Sequence, residues 1–238
     1  MEEYNYNQLS ILPHFKRKIG GAFFVGLQVE YQNVLKLNYT EGGTFDSMAI
    51  VGKSPYHVFG LGASISYDTR NAAFWPTKGI YFQSLFMDYN SHFGSSYSFK
   101  KWVTDFRYFK TFFKNHVLAL QAYNYSTFGN TPLRSLGMMG GSDNLRGYYQ
   151  GRYADKSFFT GIVEYRVPIW SRLSACAFIG GGEVYHDAKD IRISEMHFSY
   201  GGGIRFAVNK KEKLNLRIDY GYSNKYNQGL YFTIAEAF

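Results

Sequence analysis

Residues 214–222 read Leu214-Asn215-Leu216-Arg217-Ile218-Asp219-Tyr220-Gly221-Tyr222, with apolar residues at every second position. Successive side chains of a β-strand point to opposite faces of a sheet, whereas helical spacing would mix the two sets. The stretch therefore predicts a strand with one apolar face and one polar face, and the polar face carries Arg217 and Asp219.

The same period of two recurs along most of the chain and predicts an all-β protein. Strands are expected at residues 5–18, 20–37, 56–70, 79–93, 97–111, 115–129, 157–170, 173–187, 195–209, 212–223 and 228–238. They number about 11, or about 12 if residues 44–52 or the N-terminal residues add one, and a closed barrel normally has an even count. Several runs reach about 11 to 15 residues, which exceeds the usual strand of a soluble protein and suffices to cross a bilayer at a tilt.

Two classes of antiparallel protein fit this alternation. In a soluble sandwich the apolar face forms the core, whereas in a transmembrane barrel it meets lipid and the polar face lines the lumen. Short and long connections help to separate the two classes, because outer-membrane barrels have short periplasmic turns and longer extracellular loops. Short turns are expected at 18–20, 112–115, 171–173 and 209–211, and long loops at 38–55, 130–156 and 187–195. We therefore predict an antiparallel transmembrane β-barrel and keep the soluble β-protein as an alternative.

The composition agrees with strands that face a membrane. The 238 residues include 22 Tyr and 22 Phe but only 5 Pro, and aromatic rings suit both strands and membrane interfaces. No apolar run reaches the roughly 18 residues that a helical span needs. The net charge is +8, yet the basic residues are dispersed, with Lys16-Arg17-Lys18 as the longest run. We interpret them as turn and lumen charges, with a lipid or lipopolysaccharide contact as the second reading, and expect no nucleic-acid binding.

Residues 140–155 carry the most specific motif, Leu145-Arg146-Gly147-Tyr148. This stretch resembles the long loop of the BamA/TamA outer-membrane assembly and translocation superfamily (the bacterial surface antigen family), which is marked by a branched apolar residue, Arg, Gly and an aromatic residue. Further stretches are similar to the same family and follow its order: a hairpin with Asp68, Arg70, Pro76 and Gly79, the strand Gly161–Ile169, and the terminal stretches Leu216–Gly221 and Ala235–Phe238. The resemblance covers roughly residues 56–238.

The resemblance implies a single outer-membrane barrel domain over residues 1–238, as a small barrel or as part of a sixteen-stranded one, and no POTRA domain is recognisable. It implies a non-enzymatic role in the insertion or translocation of outer-membrane proteins or lipids. The implied partners are outer-membrane lipids and lipopolysaccharide, nascent outer-membrane proteins, and periplasmic or lipoprotein subunits. A passive pore or structural protein that keeps the fold without this activity is the alternative.

The final strand is expected at residues 228–238, with Phe232, Ile234 and Phe238 on its apolar face. An apolar edge that ends in an aromatic residue would promote aggregation in a soluble protein, but in a barrel it pairs with another strand. A terminal Phe on such a strand also resembles the signal by which outer-membrane barrels are recognised for insertion. We therefore assign these three residues to a C-terminal strand signal.

Arg146 is the residue of the long loop with the clearest physical role. Long connections without structure of their own are uncommon unless they are functional, and a guanidinium binds a carboxylate through two parallel hydrogen bonds. If the loop folds into the barrel, the inward carboxylate of Glu164 is available. Relatives carry an Asp where this chain has Gly180, so Glu164 or Glu183 is expected to pair with Arg146, and a charge swap with Glu164 to restore function in part. A loop tip in water is the alternative.

Catalysis has little support in the sequence. The 6 His residues (His14, His57, His92, His116, His186 and His197) lack the spacing of metal ligands, and the single Cys176 has no nearby base. The glycine runs at 180–182 and 201–203 are followed by no helical pattern and so do not resemble phosphate loops. We expect them where strands bend or where the Arg146 loop packs closely, and we expect no enzyme, cofactor or metal.

Overall fold

The computed structural model describes residues 4–47, 50–113, 115–209, 214–224 and 226–238, most of which lie in β-strands. The strands are β1 (Asn5–Ile11), β2 (His14–Gly20), β3 (Phe23–Asn38), β4 (Tyr56–Asp68), β5 (Gly79–Tyr89), β6 (Phe99–Phe112), β7 (His116–Gly129), β8 (Gly137–Met139), β9 (Tyr153–Asp155), β10 (Ser157–Trp170), β11 (Leu173–Tyr185), β12 (His197–Asn209), β13 (Leu214–Asn224) and β14 (Asn227–Ile234). A helical turn, α1, spans Thr44–Ser47, and short 3-10 turns occupy Ser91–Phe93, Leu133–Ser135, Ala188–Asp190 and Ile193–Glu195.

In the described part of the chain, twelve strands form one sheet in the order β1-β3-β4-β5-β6-β7-β10-β11-β12-β13-β14, with β2 also paired to β3. This confirms the predicted all-β class, and each expected strand is present. The first expected run is interrupted at Pro13, which has no N–H to donate and therefore splits it into β1 and β2. That split brings the count to twelve.

The additional strand considered for residues 44–52 is absent from the residues that are described there. Residues 44–47 form α1 instead, and Met48 and Ala49 lie outside the described residues. Among the expected short turns, Lys114 and Lys210-Lys211 also lie outside them. No helix in the described part of the chain is long and apolar enough to cross a membrane.

The apolar faces of the strands are exposed and the polar faces are buried. On β13, Leu216, Ile218 and Tyr220 are 40%, 38% and 46% exposed, whereas Arg217 and Asp219 are 1% and 0% exposed. A soluble sandwich would show the reverse, because its apolar face forms the dry core. The sandwich alternative is therefore wrong, and the apolar faces are those that meet lipid. We call the exposed face the outer face and the buried face the inner face.

The chain divides into two compact units. The first comprises Met1–Ile65, Ser84–Trp102 and Ser126–Leu136, and the second comprises Ser66–Gln83, Val103–Tyr125 and Gly137–Phe238.

In the first unit the inner face carries a buried polar group centred on Glu30. The Tyr89 hydroxyl donates a hydrogen bond of 2.6 Å to the Glu30 carboxylate, and the Lys101 ammonium binds the same carboxylate. Tyr89 in turn stacks on Phe99 with ring centroids 4.1 Å apart. Burial of this carboxylate is tolerated because it is paired and hydrogen-bonded.

In the second unit β10 to β14 form an antiparallel ladder in sequence order. Glu164 on β10 lies opposite Phe178 on β11. Two strands further on, Gly203 lies opposite Asp219, and Arg205 opposite Arg217. This register gathers the charged residues of three strands on one part of the inner face.

The assignment of the outer face can be tested at Ile218, which lies on that face in the middle of β13. Ile218→Arg is expected to lower the free energy of unfolding by about 2–4 kcal/mol, the cost of a cation near the bilayer midplane. Denaturant titration of the protein in lipid vesicles gives this value. Ile191→Arg, in the loop between β11 and β12, is the control and is expected to change little; an equal loss in both variants would contradict the assignment of the outer face.

Candidate functional site

The long loop between β7 and β10 has structure of its own, in contrast to the expectation from the sequence. Its base is the two-stranded ladder of β8 and β9, in which Met138 pairs with Ala154. Near its tip the Gly141 N–H donates to the Tyr148 carbonyl oxygen at 2.8 Å. The loop is therefore a folded β-hairpin whose tip carries Leu145, Arg146 and Gly147.

Leu145 fixes the tip of the loop to the sheet. It is fully buried and packs with Met139, Tyr148 and Phe158. A Cβ atom built on Gly180 would lie 3.1 Å from Leu145 Cδ1. Gly180 thus leaves room for the loop, as expected for a glycine run under a closely packed segment.

Gly147 and Gly221 allow the loop backbone to approach the sheet closely. Gly147 has φ +108, which L side chains rarely adopt. A Cβ atom on Gly221 of β13 would lie 2.5 Å from Gly147 N and 2.7 Å from the Arg146 carbonyl carbon. The absence of a side chain at residue 221 is therefore a condition for the observed position of the loop.

Arg146 extends from this tip into the inner face and binds two carboxylates. Its Nη2 lies 2.6 Å from Glu164 Oε2, and its Nη1 lies 2.6 Å from Asp219 Oδ2. The guanidinium also lies over the Phe178 ring, 3.5 Å from the centroid. Burial alone would lower the pKa of Arg146, but the charges of Glu164 and Asp219 and their hydrogen bonds raise this pKa above its ordinary value. Arg146 therefore remains charged and makes charge-assisted contacts.

The two carboxylates hold further arginines. Arg166 Nε lies 2.7 Å from Glu164 Oε1, and Arg205 Nη1 binds Asp219 Oδ1. Arg205 also lies 3.1 Å from the Glu236 carboxylate. Four arginines thus face three carboxylates in what we call the charge cluster: Arg146, Arg166, Arg205, Arg217, Glu164, Asp219 and Glu236.

The arrangement on β12 and β13 shows how like charges are kept together. Arg205 and Arg217 lie directly opposite each other, a pairing that is unfavourable between like charges. Asp219 lies between them, since it binds Arg205 and lies 3.5 Å from Arg217 Nε. A Cβ atom on Gly203 would collide with the Asp219 carboxylate. Gly203 therefore makes the space in which Arg205 reaches Asp219.

The structure brings together one of the two expected partners of Arg146 and replaces the other. Glu164 contacts Arg146, whereas Glu183 accepts hydrogen bonds of 3.2 Å from the backbone N–H of Arg192. The second partner is Asp219, three strands away from Glu164 in the sheet. The sequence placed Asp219 on a polar strand face, but nothing in it indicated the register that aligns β13 with the loop.

The hairpin motif lies between β4 and β5 and closes on itself. Arg70 makes a two-point ion pair with Asp68, with distances of 3.0 and 2.9 Å. Gly79 has φ +111 and abuts the Thr69 carbonyl group. The Pro76 carbonyl oxygen accepts a hydrogen bond of 3.2 Å from Arg166 Nη1, so the motif contacts the charge cluster from the short-turn side.

The expected C-terminal strand signal is divided between two environments. Phe232 and Ile234 are exposed on the outer face, as expected. Phe238 is instead buried and packs with Phe109 and Ile162. The reason is a change of direction at Ala235, whose φ of 71 takes the chain out of the sheet, so that β14 ends at Ile234 and the expectation of a strand up to residue 238 is wrong.

Tyr231 on β14 joins the edge of the sheet to the loop and was not singled out from the sequence. Its hydroxyl accepts a hydrogen bond of 2.9 Å from the Gly147 N–H and donates one of 3.1 Å to the Tyr148 carbonyl oxygen. A tyrosine within a polar strand face was the only available signal. In the described residues, no group of three or more His, Cys, Asp or Glu side chains could hold a metal ion.

Comparison with known proteins identifies the family. A family model described as the Omp85 superfamily domain matches residues 2–238. The chain belongs to the Omp85 superfamily. The resemblance carried by Leu145-Arg146-Gly147-Tyr148 and the other motifs is thereby confirmed, and the Omp85 chain is an outer-membrane-type β-barrel.

A solved structure gives the same fold. The crystal structure of BamA from Haemophilus ducreyi lacking POTRA domains 1–3 matches with a TM-score of 0.73 and 14% identity, and the alignment covers 97% of this chain. It covers 55% of the BamA chain, so the Omp85 chain spans about half the length of that protein. At this identity the likeness concerns the fold alone. No curated protein matches the sequence.

Arg146→Ala is expected to destabilise the Omp85 chain and release the loop. It removes a cation from between two fully buried carboxylates, a change that costs about 3 kcal/mol or more. Denaturant titration in vesicles and proteolysis of the loop measure the two effects. Arg152→Ala, at a more exposed position of the same loop, is the control and should change stability by less than about 1 kcal/mol; equal effects of the two variants would argue against the cluster.

The swap of Arg146→Glu with Glu164→Arg is expected to give no restoration, in contrast to the expectation from the sequence. Glu164 also lies 2.7 Å from Arg166 and 3.6 Å from Arg205. An arginine at residue 164 would therefore face two like charges in a buried site. A double variant as stable as the wild type would show that Arg166 and Arg205 do not contribute.

Gly221→Ala is expected to displace the loop without removing any charge. The new methyl group would overlap the backbone of Gly147 and Arg146, and such overpacking costs about 1–3 kcal/mol. Gly161→Ala is the matched control, since the nearest atom to its Cβ is the Gln121 carbonyl oxygen at 4.0 Å. Protease sensitivity of the loop should rise in the first variant only.

Proposed function

We propose that this Omp85 barrel inserts or translocates outer-membrane proteins or lipids in the bacterial outer membrane. The observation that carries the proposal is the loop tip bound to the inner face through Arg146, Glu164 and Asp219. Buried ion pairs add little net stability compared with apolar packing. Their use here is better explained by a requirement to hold one segment in one position.

The second support is the link between the loop and the edge strand β14. Tyr231 contacts the loop backbone through two hydrogen bonds, and Thr233 accepts a hydrogen bond of 2.6 Å from Arg217. On the outer face the same strand exposes Leu230, Phe232 and Ile234. A strand at the end of the sheet order with an apolar outer face is suited to part from its neighbour toward the bilayer, and the loop would set the position of its inner face.

Three segments occupy the inner face of the second unit, and this favours insertion over a passive pore. The loop tip reaches Glu164, the hairpin reaches Arg166 through Pro76, and Phe238 packs against Phe109. A passive pore needs a continuous water-filled path along its inner face. Segments that are packed against the inner face leave less space for such a path.

The proposed partners follow from this role. Outer-membrane lipids and lipopolysaccharide surround the outer face, unfolded outer-membrane proteins are the clients, and periplasmic or lipoprotein subunits deliver them. The chemistry is non-covalent, because folding of a barrel into a bilayer makes and breaks only hydrogen bonds and apolar contacts. We therefore assign no catalytic residue.

Reconstitution into lipid vesicles tests the proposal. Vesicles that contain the chain should fold an added unfolded outer-membrane protein faster than empty vesicles, with little ion conductance across a planar bilayer. Tyr231→Phe should slow this folding several-fold, because it removes both hydrogen bonds to the loop while the ring remains.

Tyr220→Phe is the matched control, because the Tyr220 hydroxyl lies on the outer face and donates to Gln228 at 2.6 Å. It should leave the rate of client folding unchanged. Steady conductance without any acceleration of folding would instead support the passive pore, and would refute the proposed function.

A further inference from the structure

The outer face of the first unit contains an apolar groove across β2 to β5. Its volume is about 610 Å³, within the usual range for small-molecule sites of roughly 300–1,000 Å³. Large apolar side chains, among them Phe15, Leu27 and Phe86, line it together with the small residues Ala63 and Ser84. The small residues lie on β4 and β5, and the depth of the groove follows from their size.

The hydroxyl group of Ser84, which lines the groove, is already hydrogen-bonded. Ser84 Oγ accepts a hydrogen bond of 2.9 Å from Trp102 Nε1. The groove therefore offers hydrocarbon contacts along most of its length and suits an alkyl chain better than a polar ligand.

One end of the groove is cationic. Phe15, Arg17 and Ile19 alternate on β2, and all three are exposed. Arg17 lines the groove and lies opposite Val25 on β3. The turn at residues 21–22 follows β2.

The position of Arg17 is favourable only near the membrane surface. An outward arginine costs about 2–4 kcal/mol at the bilayer midplane but about 0–1 kcal/mol near the interface, where long basic side chains extend to the polar layer. The turn that follows β2 is short, and short turns of outer-membrane barrels lie on the periplasmic side. The cationic end of the groove thus lies at the level of the headgroups of the periplasmic leaflet.

We propose that the groove binds one anionic phospholipid of the periplasmic leaflet, with an acyl chain between β2 and β5 and its phosphate at Arg17. Charge complementarity selects an anionic headgroup, since the guanidinium of Arg17 attracts it. The leaflet selects a glycerophospholipid over lipopolysaccharide, which occupies the opposite leaflet on the side of the long loops. This site is independent of the charge cluster and of the proposed insertion activity.

Native mass spectrometry of the whole chain in detergent tests the site. The protein is mixed with phosphatidylglycerol and phosphatidylethanolamine of identical acyl chains, and one phosphatidylglycerol should be retained in preference. Arg17→Gln should weaken its binding by about fivefold, as expected for one cation near the headgroups, and Arg17→Lys should preserve it. Lys110→Gln is the matched control, because Lys110 is exposed near the end of β6.

A second variant tests the groove itself. Ala63→Phe should fill it and remove the retained lipid, whereas Ala177→Phe, at an exposed alanine of β11, should not. The heat-dependent gel mobility of folded barrels verifies that each variant is folded. Equal retention of the two phospholipids, equal effects of a variant and its control, or preference for lipid A over phosphatidylglycerol would each overturn the proposal.

Discussion

A single buried arginine sets the position of the most specific segment of the chain. Arg146 leaves the tip of a long hairpin and binds Glu164 and Asp219, which are themselves fully buried. Arg146 could not remain in such a place without the two carboxylates, because an unpaired buried ion costs far more than the pair stabilises. The loop and the inner face of β10 to β13 are therefore folded together, and a barrel with a detached loop would leave two carboxylates underpaired.

The charge cluster depends as much on missing side chains as on the charges. Gly180 gives space to Leu145, Gly203 gives space to the contact of Arg205 with Asp219, and Gly221 lets the loop backbone touch β13. Glycine weakens a strand, because it has no side chain to pack and loses more entropy on folding. Its placement at three positions around the cluster indicates that close approach of the loop outweighs this loss.

The parts of the fold that depend on local pattern could be predicted, and those that depend on register could not. Alternation located every strand of the large sheet, since period two is a property of neighbouring residues. The partnership of Arg146 with Asp219 needs the alignment of β10 through β13, which no short stretch encodes. The turn of the chain at Ala235 was equally hidden, because a positive φ is uncommon at a residue other than glycine. The predicted strand at β14 is therefore correct, but it was expected to end at residue 238 instead of Ile234. Phe238 was expected on the apolar outer face and is buried instead.

The edge strand β14 connects the two faces of the sheet in a way that bears on function. Its outer side chains Phe232 and Ile234 meet lipid, whereas its inner side chain Tyr231 holds the backbone of Gly147 and Tyr148. Any movement of β14 away from β13 must therefore break or carry along the loop contacts. Two segments that share contacts in this way are thermodynamically linked. A ligand that displaces the loop therefore weakens the pairing of β14 with β13, and opening of that pairing strengthens binding of the ligand by the same free energy. Displacement of the loop and opening of the edge between β13 and β14 would each promote the other.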